Sequence, residues 1–207
     1  MIPVQVLSLR YLSAASPSLC QALGAPKGLP CLGLITTDCD DATYIALDAA
    51  TKAAEVTVCY GRSFYAGAAN ASTPNAGEVI GILAGPTPGA VRSGMEAVLS
   101  TLQAVGFEET NGVPYLAQTV SRTGSFLSKE AGIPEGAALA YLIAPPLESM
   151  YAMDHALKAA DVTLCKLYAP PSETNFGGGL LTGSQTACEA ACTAFRQAVS
   201  QVAQNPK

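Results

Sequence analysis

The chain has 207 residues and a formal net charge of −5, and only 13% of its residues are charged, about half the usual share. With no basic cluster it excludes a nucleic-acid surface, no apolar run reaches the length of a membrane span, and seven cysteines without a CxxC pair point to a reducing, cytosolic setting. So little charge cannot cover a soluble surface, which predicts that much of it is buried against other subunits.

The N-terminus (Met1–Leu7) carries no early basic residue and Arg10 interrupts its apolar stretch, so it does not read as a signal peptide. An extended stretch is expected at Val4–Tyr11, followed by a short helical segment and a strand at Leu32–Thr36. An Ala-rich helix over Ala42–Ala54 presents a small face suited to close packing on a sheet. A strand at Glu55–Tyr60, a loop and a strand at Glu78–Ala84 lead to a helix that opens at Thr87-Pro88, a good N-cap and first-turn pair. A linker is expected near Gly106–Pro114, where Asn111-Gly112 signals a turn. The order then recurs: extended Tyr115–Arg122, strand Leu139–Ala144, helix Leu147–Ala160, and strands Asp161–Tyr168 and Gly178–Thr182. A last helix reads as opened by Thr186-Ala187-Cys188-Glu189, a capping box.

The recurrence extends to the residues. Ile45–Cys59 aligns with Tyr151–Cys165 at an offset of 106, with nine of fifteen positions identical, where chance gives about one or two. Gly24–Ile35 aligns with Gly132–Ile143, sharing its Gly and Pro punctuation, and Gly81–Gly85 aligns with Gly179–Gly183. Two copies of one α+β unit, helices beside a small, largely antiparallel sheet, therefore cover nearly the whole chain.

Several motifs carry less than they suggest. Gly177–Ser184 looks like a phosphate loop but lacks the Gly-Lys-Ser/Thr ending, so a glycine-rich turn allowing close backbone approach is the better reading. Gly61-Arg62-Ser63-Phe64-Tyr65 lacks the second glycine of a nucleophile elbow. The one histidine, His155, has no spaced partner for a metal or a triad and reads as a partly exposed structural residue. Cys188 and Cys192 share a helical face and read as small buried apolar residues. Lys52 and Lys158 are equivalent between copies and suit a helix C-terminus. Asp38, Asp40 and Asp41 occur in copy one only, with Asp41 a candidate helix cap.

The repeated Asp-x-x-x-Lys-Ala-Ala-x-Val, at Asp48–Val56 and Asp154–Val162, resembles the bacterial microcompartment shell domain. The extended segment before each copy resembles its circularly permuted form. Asp38–Ile45, Tyr60–Ala69, Val120–Ser125 and Pro171–Asn175 are similar to the tandem shell subunits of ethanolamine-utilisation compartments. The resemblance implies an α+β fold of two tandem circularly permuted shell domains, related to ferredoxin-like folds, at residues 1–106 and 107–207. It further implies a homotrimer imitating a hexagonal tile, packed with other shell proteins in a cytoplasmic microcompartment shell, with no catalytic residue, metal or required cofactor. Lys52 and Lys158 become tile-edge lysines.

Pores are expected to be lined by Gly61–Asn75 and Pro170–Gly178, with Ser63, Phe64, Tyr65, Thr174, Asn175 and Phe176 as loop residues. Copy one has 26 residues from Cys59 to Gly85 against 18 from Cys165 to Gly183. The extra length is rich in Gly, Ala, Ser and Asn, a composition suited to a moving loop. An ethanolamine site that favours the closed pore is expected on Asp40, Glu78 and Phe107, since a compact cation needs carboxylates and an aromatic or carbonyl cover. Against this, Asp40 and Glu78 also read as ordinary surface acids. A duplicated ferredoxin-like sensor or enzyme is the competing function.

Overall fold

A computed structural model describes residues 1–64, 77–170 and 174–206. The elements run β1 (Val6–Leu12), α1 (Pro17–Ala22), β2 (Cys31–Thr37), α2 (Asp40–Ala53), β3 (Thr57–Phe64), β4 (Glu78–Gly85) and α3 (Pro88–Leu102). They continue as β5 (Glu108–Thr110), β6 (Val113–Val120), α4 (Ser125–Ala131), β7 (Ala138–Ala144), α5 (Pro146–Ala159), β8 (Val162–Tyr168), β9 (Gly177–Gly183) and α6 (Gln185–Gln204). The chain forms two compact units. One comprises Pro3–Gly106 with Gly124–Leu127, the other Met1–Ile2, Phe107–Thr123 and Ser128–Lys207.

Each unit is built on an antiparallel sheet with the same order, β1-β2-β4-β3 in the N-terminal unit and β6-β7-β9-β8 in the C-terminal one. The repeat is reproduced down to its irregularities. The pairing of β3 with β4 slips between Val58 and Tyr60, and that of β8 with β9 between Leu164 and Lys166, so Cys59 and Cys165 occupy equivalent bulges. Gly24 and Gly132, and likewise Gly28 and Gly136, take matching positive φ values, a conformation that only glycine adopts without strain.

Along β2 and β4 the side chains alternate between faces, as a sheet covered on both sides requires. Leu32, Ile82 and Ala84 pack with Cys20, Leu23 and Leu29 from α1 and its following turn. The other face lies under α2 and α3. There Ala42, Ala46 and Ala50 of α2 are fully buried, as the small-residue face of that helix predicts, with Leu47 and Met95 enclosed beside them. In the C-terminal unit, Ala152, Met153 and Ala156 of α5 join Cys188, Cys192 and Phe195 of α6 against β6, β7 and β9. The two cysteines are thus core residues, as their spacing implies.

The sheet and its helices depart from four local expectations. The segment expected as a linker at Gly106–Pro114 contains a hairpin, with Glu108–Thr110 paired to Val113–Tyr115 across Asn111-Gly112, both at positive φ. The Gly177–Gly179 run opens β9, in line with the strand expected at Gly178–Thr182 and against the glycine-rich turn also read there. A Cβ on Gly178 would meet the Leu142 carbonyl oxygen at 1.9 Å, so close approach of backbones is what that glycine serves. The N-cap of α6 is Ser184, whose Oγ accepts from Ala187 N at 3.1 Å. Thr186 therefore lies inside the helix and forms no capping box, and Glu189 instead accepts from Gln185 Nε2 at 2.9 Å. Asp41 does not cap α2, because the N-cap position is Cys39 and no side chain caps that end. Thr87 does cap α3, accepting from Ala90 N at 3.1 Å.

Candidate functional site

The acidic turn that distinguishes copy one from copy two lies where β2 hands over to α2. Asp38 is tied down through both its backbone and its carboxylate: Asp38 N donates to Gln5 O at 3.2 Å, and Asp38 Oδ1 accepts from Gln5 N at 2.7 Å. Thr37 Oγ1 and Thr43 Oγ1 lie 2.7 Å apart, and Thr43 Oγ1 donates to Cys39 O at 2.7 Å, which fixes the helix start without a capping side chain. Both Asp40 and Asp41 then fall in the first turn of α2, where a helix dipole favours negative charge.

Asp40 is the chemically unusual member. It is almost fully buried, and burial pushes its carboxyl up to about 6, against hydrogen bonds from Ser63 and the Asp41 backbone that favour the charged form. Its Oδ1 accepts from Asp41 N at 2.9 Å, and its own N–H donates to Gly77 O at 3.1 Å. Gly77 directly precedes Glu78, the first residue of β4, which pairs with Phe64 at the end of β3. Two of the three residues expected to hold a small cation, Asp40 and Glu78, are therefore brought to the same end of the sheet. Tyr44, one turn along α2, places its hydroxyl 2.7 Å from Ser63 Oγ. No local pattern marks Tyr44 and Ser63 as polar partners of this turn, because their meeting depends on how β3 lies against α2. Beside them Cys39 is buried, and its thiol is pushed well up by burial and by the Asp41 and Asp40 charges. It is a poor nucleophile.

Phe107 belongs to the C-terminal unit. Its ring is buried and lies 5.7 Å from that of Phe176, and its carbonyl accepts from Ile2 N at 2.6 Å. Of the pore-loop residues, Ser63 and Phe64 end β3 rather than lying on a loop, Asn175 takes a positive φ, and Phe176 leads into β9. Tyr65 and most of the segment 61–75 lie outside the described residues, as do 171–173 of the second segment.

The two equivalent lysines have different surroundings. Lys52 Nζ lies 3.0 Å from Asp48 Oδ2 with a third of its side chain exposed and the aspartate fully enclosed. Lys158 pairs with Asp154 at 2.6 Å, and both side chains are mostly exposed. His155 stacks loosely on Tyr151, with ring centroids 4.4 Å apart. Among the described residues no cluster of His, Cys, Asp and Glu is arranged to hold a metal, and no helix is long and apolar enough to cross a membrane.

Comparison with known proteins places this architecture. The family described as BMC domain matches residues 31–115. That match starts at β2 and runs past α3 into β6. The chain is 61% identical over 210 residues to the bacterial microcompartment shell protein EutL of Clostridium perfringens, covering 100% of this chain and 97% of the relative. The EutL shell protein of Escherichia coli is 48% identical, covering 100% and 96%. The crystal structure of ethanolamine utilization protein EutL from Leptotrichia buccalis matches with a TM-score of 0.93 at 56% identity, covering 99% of this chain and 96% of that one. With this likeness spanning both units, the chain belongs to the EutL family of bacterial microcompartment shell proteins, structural components of the shell and not enzymes.

Proposed function

We propose that this shell protein works as a homotrimer, its six domains forming a hexagonal tile with pores that ethanolamine biases toward closure. Six quasi-equivalent domains close a ring by repeating one heterologous contact, and the duplication leaves three-fold symmetry. The 13% charged content supports extensive burial between subunits. Lys52 and Lys158 serve the tile rim, where neighbouring tiles and other shell proteins meet. Changing both to Ala is expected to abolish the flat sheets seen by electron microscopy of the purified protein, and unaltered sheets would remove the rim assignment.

The observation that carries the ligand reading is Asp40, a buried carboxylate held up to about 6 beside Ser63 and next to the Gly77-Glu78 step. A buried acid that resists ionisation is stabilised as an anion when a cation joins it. Ethanolamine at neutral pH is a compact ammonium with one hydroxyl, matched to a carboxylate and a hydroxyl side by side. Residues 61–75 and 170–178 form the pore segments, and Ser63 and Gly77, at and beyond the two ends of the copy-one segment, both reach this turn. Closure follows if ethanolamine binds the closed state more tightly than the open one. Calorimetry with ethanolamine on the wild type and on Asp40→Ala tests the site. Heat from the wild type alone supports it, while equal heats from both or none from either remove it. The Phe107 assignment rests on its place in the segment that links the copies, and Phe107→Ala tests it separately.

A further inference from the structure

The hydroxyls beside Asp40 have a fixed order. A serine hydroxyl carries one hydrogen and two lone pairs, and an ionised carboxylate only accepts. Ser63 donates its hydrogen to the Asp40 carboxylate, the stronger of its bonds because that partner is charged. Ser63 Oγ also lies 2.7 Å from the Tyr44 hydroxyl. With its one hydrogen committed to Asp40, Ser63 is the acceptor of this second bond and Tyr44 the donor. Each bond in such a chain polarises the next. The Ser63 oxygen keeps one lone pair and has no hydrogen to offer.

The Tyr44 ring is fixed from two sides. One turn further along α2, Asp48 accepts from Gly124 N and Leu127 N, each at 2.8 Å, and Thr51 Oγ1 accepts from Ser125 N at 3.1 Å. These bonds seat the turn 124–127 on α2, with the Phe126 ring 5.9 Å from that of Tyr44. On β3, a Cβ at Gly61 would come within 3.3 Å of Tyr44 Cε1 and 3.6 Å of Phe126 Cζ, so the strand is bare where the two rings lie against it. A ring packed in this way delivers its hydroxyl to one place. Copy two lacks the whole set. At the offset of 106, the counterparts of Asp40, Tyr44, Gly61 and Ser63 are Pro146, Met150, Leu167 and Ala169. The same helix and strands form there, so the fold itself does not require the carboxylate or either hydroxyl.

We infer that Tyr44 is a specificity-determining positioning residue: by holding Ser63 as an acceptor, it makes the Asp40 site select ammonium ions that carry a hydrogen-bond donor two carbons away. This rests on the ligand reading of Asp40 and adds what the ligand's second group must do. The ammonium meets the carboxylate, and the ligand hydroxyl donates its hydrogen to the remaining Ser63 lone pair. A group of similar size that can only accept meets another acceptor there, and a bare methyl makes no bond at all. Either loss separates such ions from the alcohol.

Calorimetry at neutral pH on the full chain tests this with ethanolamine, 2-fluoroethylamine and ethylamine, which share the ammonium and differ only at the far end. The wild type is expected to bind ethanolamine about tenfold more tightly than either analogue. Ser63→Ala and Tyr44→Phe are each expected to bring that ratio below about threefold, and the double variant to add nothing further. A wild type that binds 2-fluoroethylamine as tightly as ethanolamine overturns the acceptor role of Ser63. A Tyr44→Phe variant that keeps the full ratio overturns the role of Tyr44. Carboxyl NMR of the ligand-free protein with isotope-labelled aspartate reads the hydroxyl order by itself. There Tyr44→Phe is expected to move the Asp40 titration upward, and Ser63→Ala to move it further; a titration unmoved by Tyr44→Phe overturns the relay. A wild type that binds no ethanolamine removes the ligand reading and the selection with it, while the NMR comparison still decides the hydroxyl order.

Discussion

Asp48 and Asp154 are the same residue of the same motif, and replacing each by Ala should have very different consequences. The Asp48 carboxylate is fully enclosed and holds the Gly124 and Leu127 amides together with the Lys52 ammonium. Hydrogen bonds to a charged group contribute about 1.5–3 kcal/mol each, and removing one member of a buried ion pair costs about 3–5 kcal/mol. The two figures describe overlapping losses and do not add. Lys52 is a third exposed, and water recovers part of what it loses, so the estimate for Asp48→Ala stays at about 4 kcal/mol. The Asp154–Lys158 pair lies in solvent, and exposed pairs are worth about 0–1 kcal/mol. For a chain of this length about 1 kcal/mol moves the thermal midpoint by about 2–4 °C. Differential scanning calorimetry at matched protein concentration should therefore show Asp48→Ala melting roughly 8–16 °C below the wild type, and Asp154→Ala within about 4 °C of it. Matched concentration matters because subunit association also raises the apparent midpoint. Equal shifts for the two variants, or an Asp48→Ala shift within about 4 °C of wild type, would refute the reasoning that the seated turn makes Asp48 structural.

Asp40 gives a pH signature. Its carboxyl is raised from 3.8 to about 6 by burial, so the folded chain holds a proton that the unfolded chain has released, and stability falls as pH rises from about 4 to about 6 before levelling. The shift corresponds to about 3 kcal/mol, and Asp40→Asn should remove that slope in denaturant titrations run across the range; an unchanged slope assigns it elsewhere. Ser184→Ala should cost about 1 kcal/mol as the loss of a helix cap, whereas Thr186→Ala should stay within about 0.5 kcal/mol, and urea unfolding of the two would expose a reversed order. Gly178→Ala drives a Cβ into the Leu142 carbonyl at a positive φ, and should cost more than about 3 kcal/mol, read as a collapse of the folded yield or a midpoint drop; a normal midpoint would show that β9 has room to shift.

What the sequence determines by itself is the repeat and the order of its elements. Those signals are local: the alanine face of α2 and α5, the Gly and Pro punctuation at 24–28 and 132–136, and the Thr87-Pro88 start of α3 each act within a few residues. Local signals also misplace things where two neighbours offer similar chemistry. Ser184 and Thr186 both suit an N-cap, and only the direction in which the chain leaves β9 selects Ser184. Asp41 looks like a cap, but the β2-to-α2 step is short enough that Cys39 already holds the N-cap position. The pattern Asn111-Gly112 announces a turn without saying that strands flank it. Tertiary structure alone decides how a motif shared by the copies is used in each. Asp48 and Asp154 share a motif, yet one meets amides 76 and 79 positions away and the other lies exposed beside Lys158. Asp40 resembles a surface acid until β3 and the start of β4 enclose it. Burial depends on which distant segment docks on a face, and the motif shared by Asp48 and Asp154 does not say which of the two will be covered.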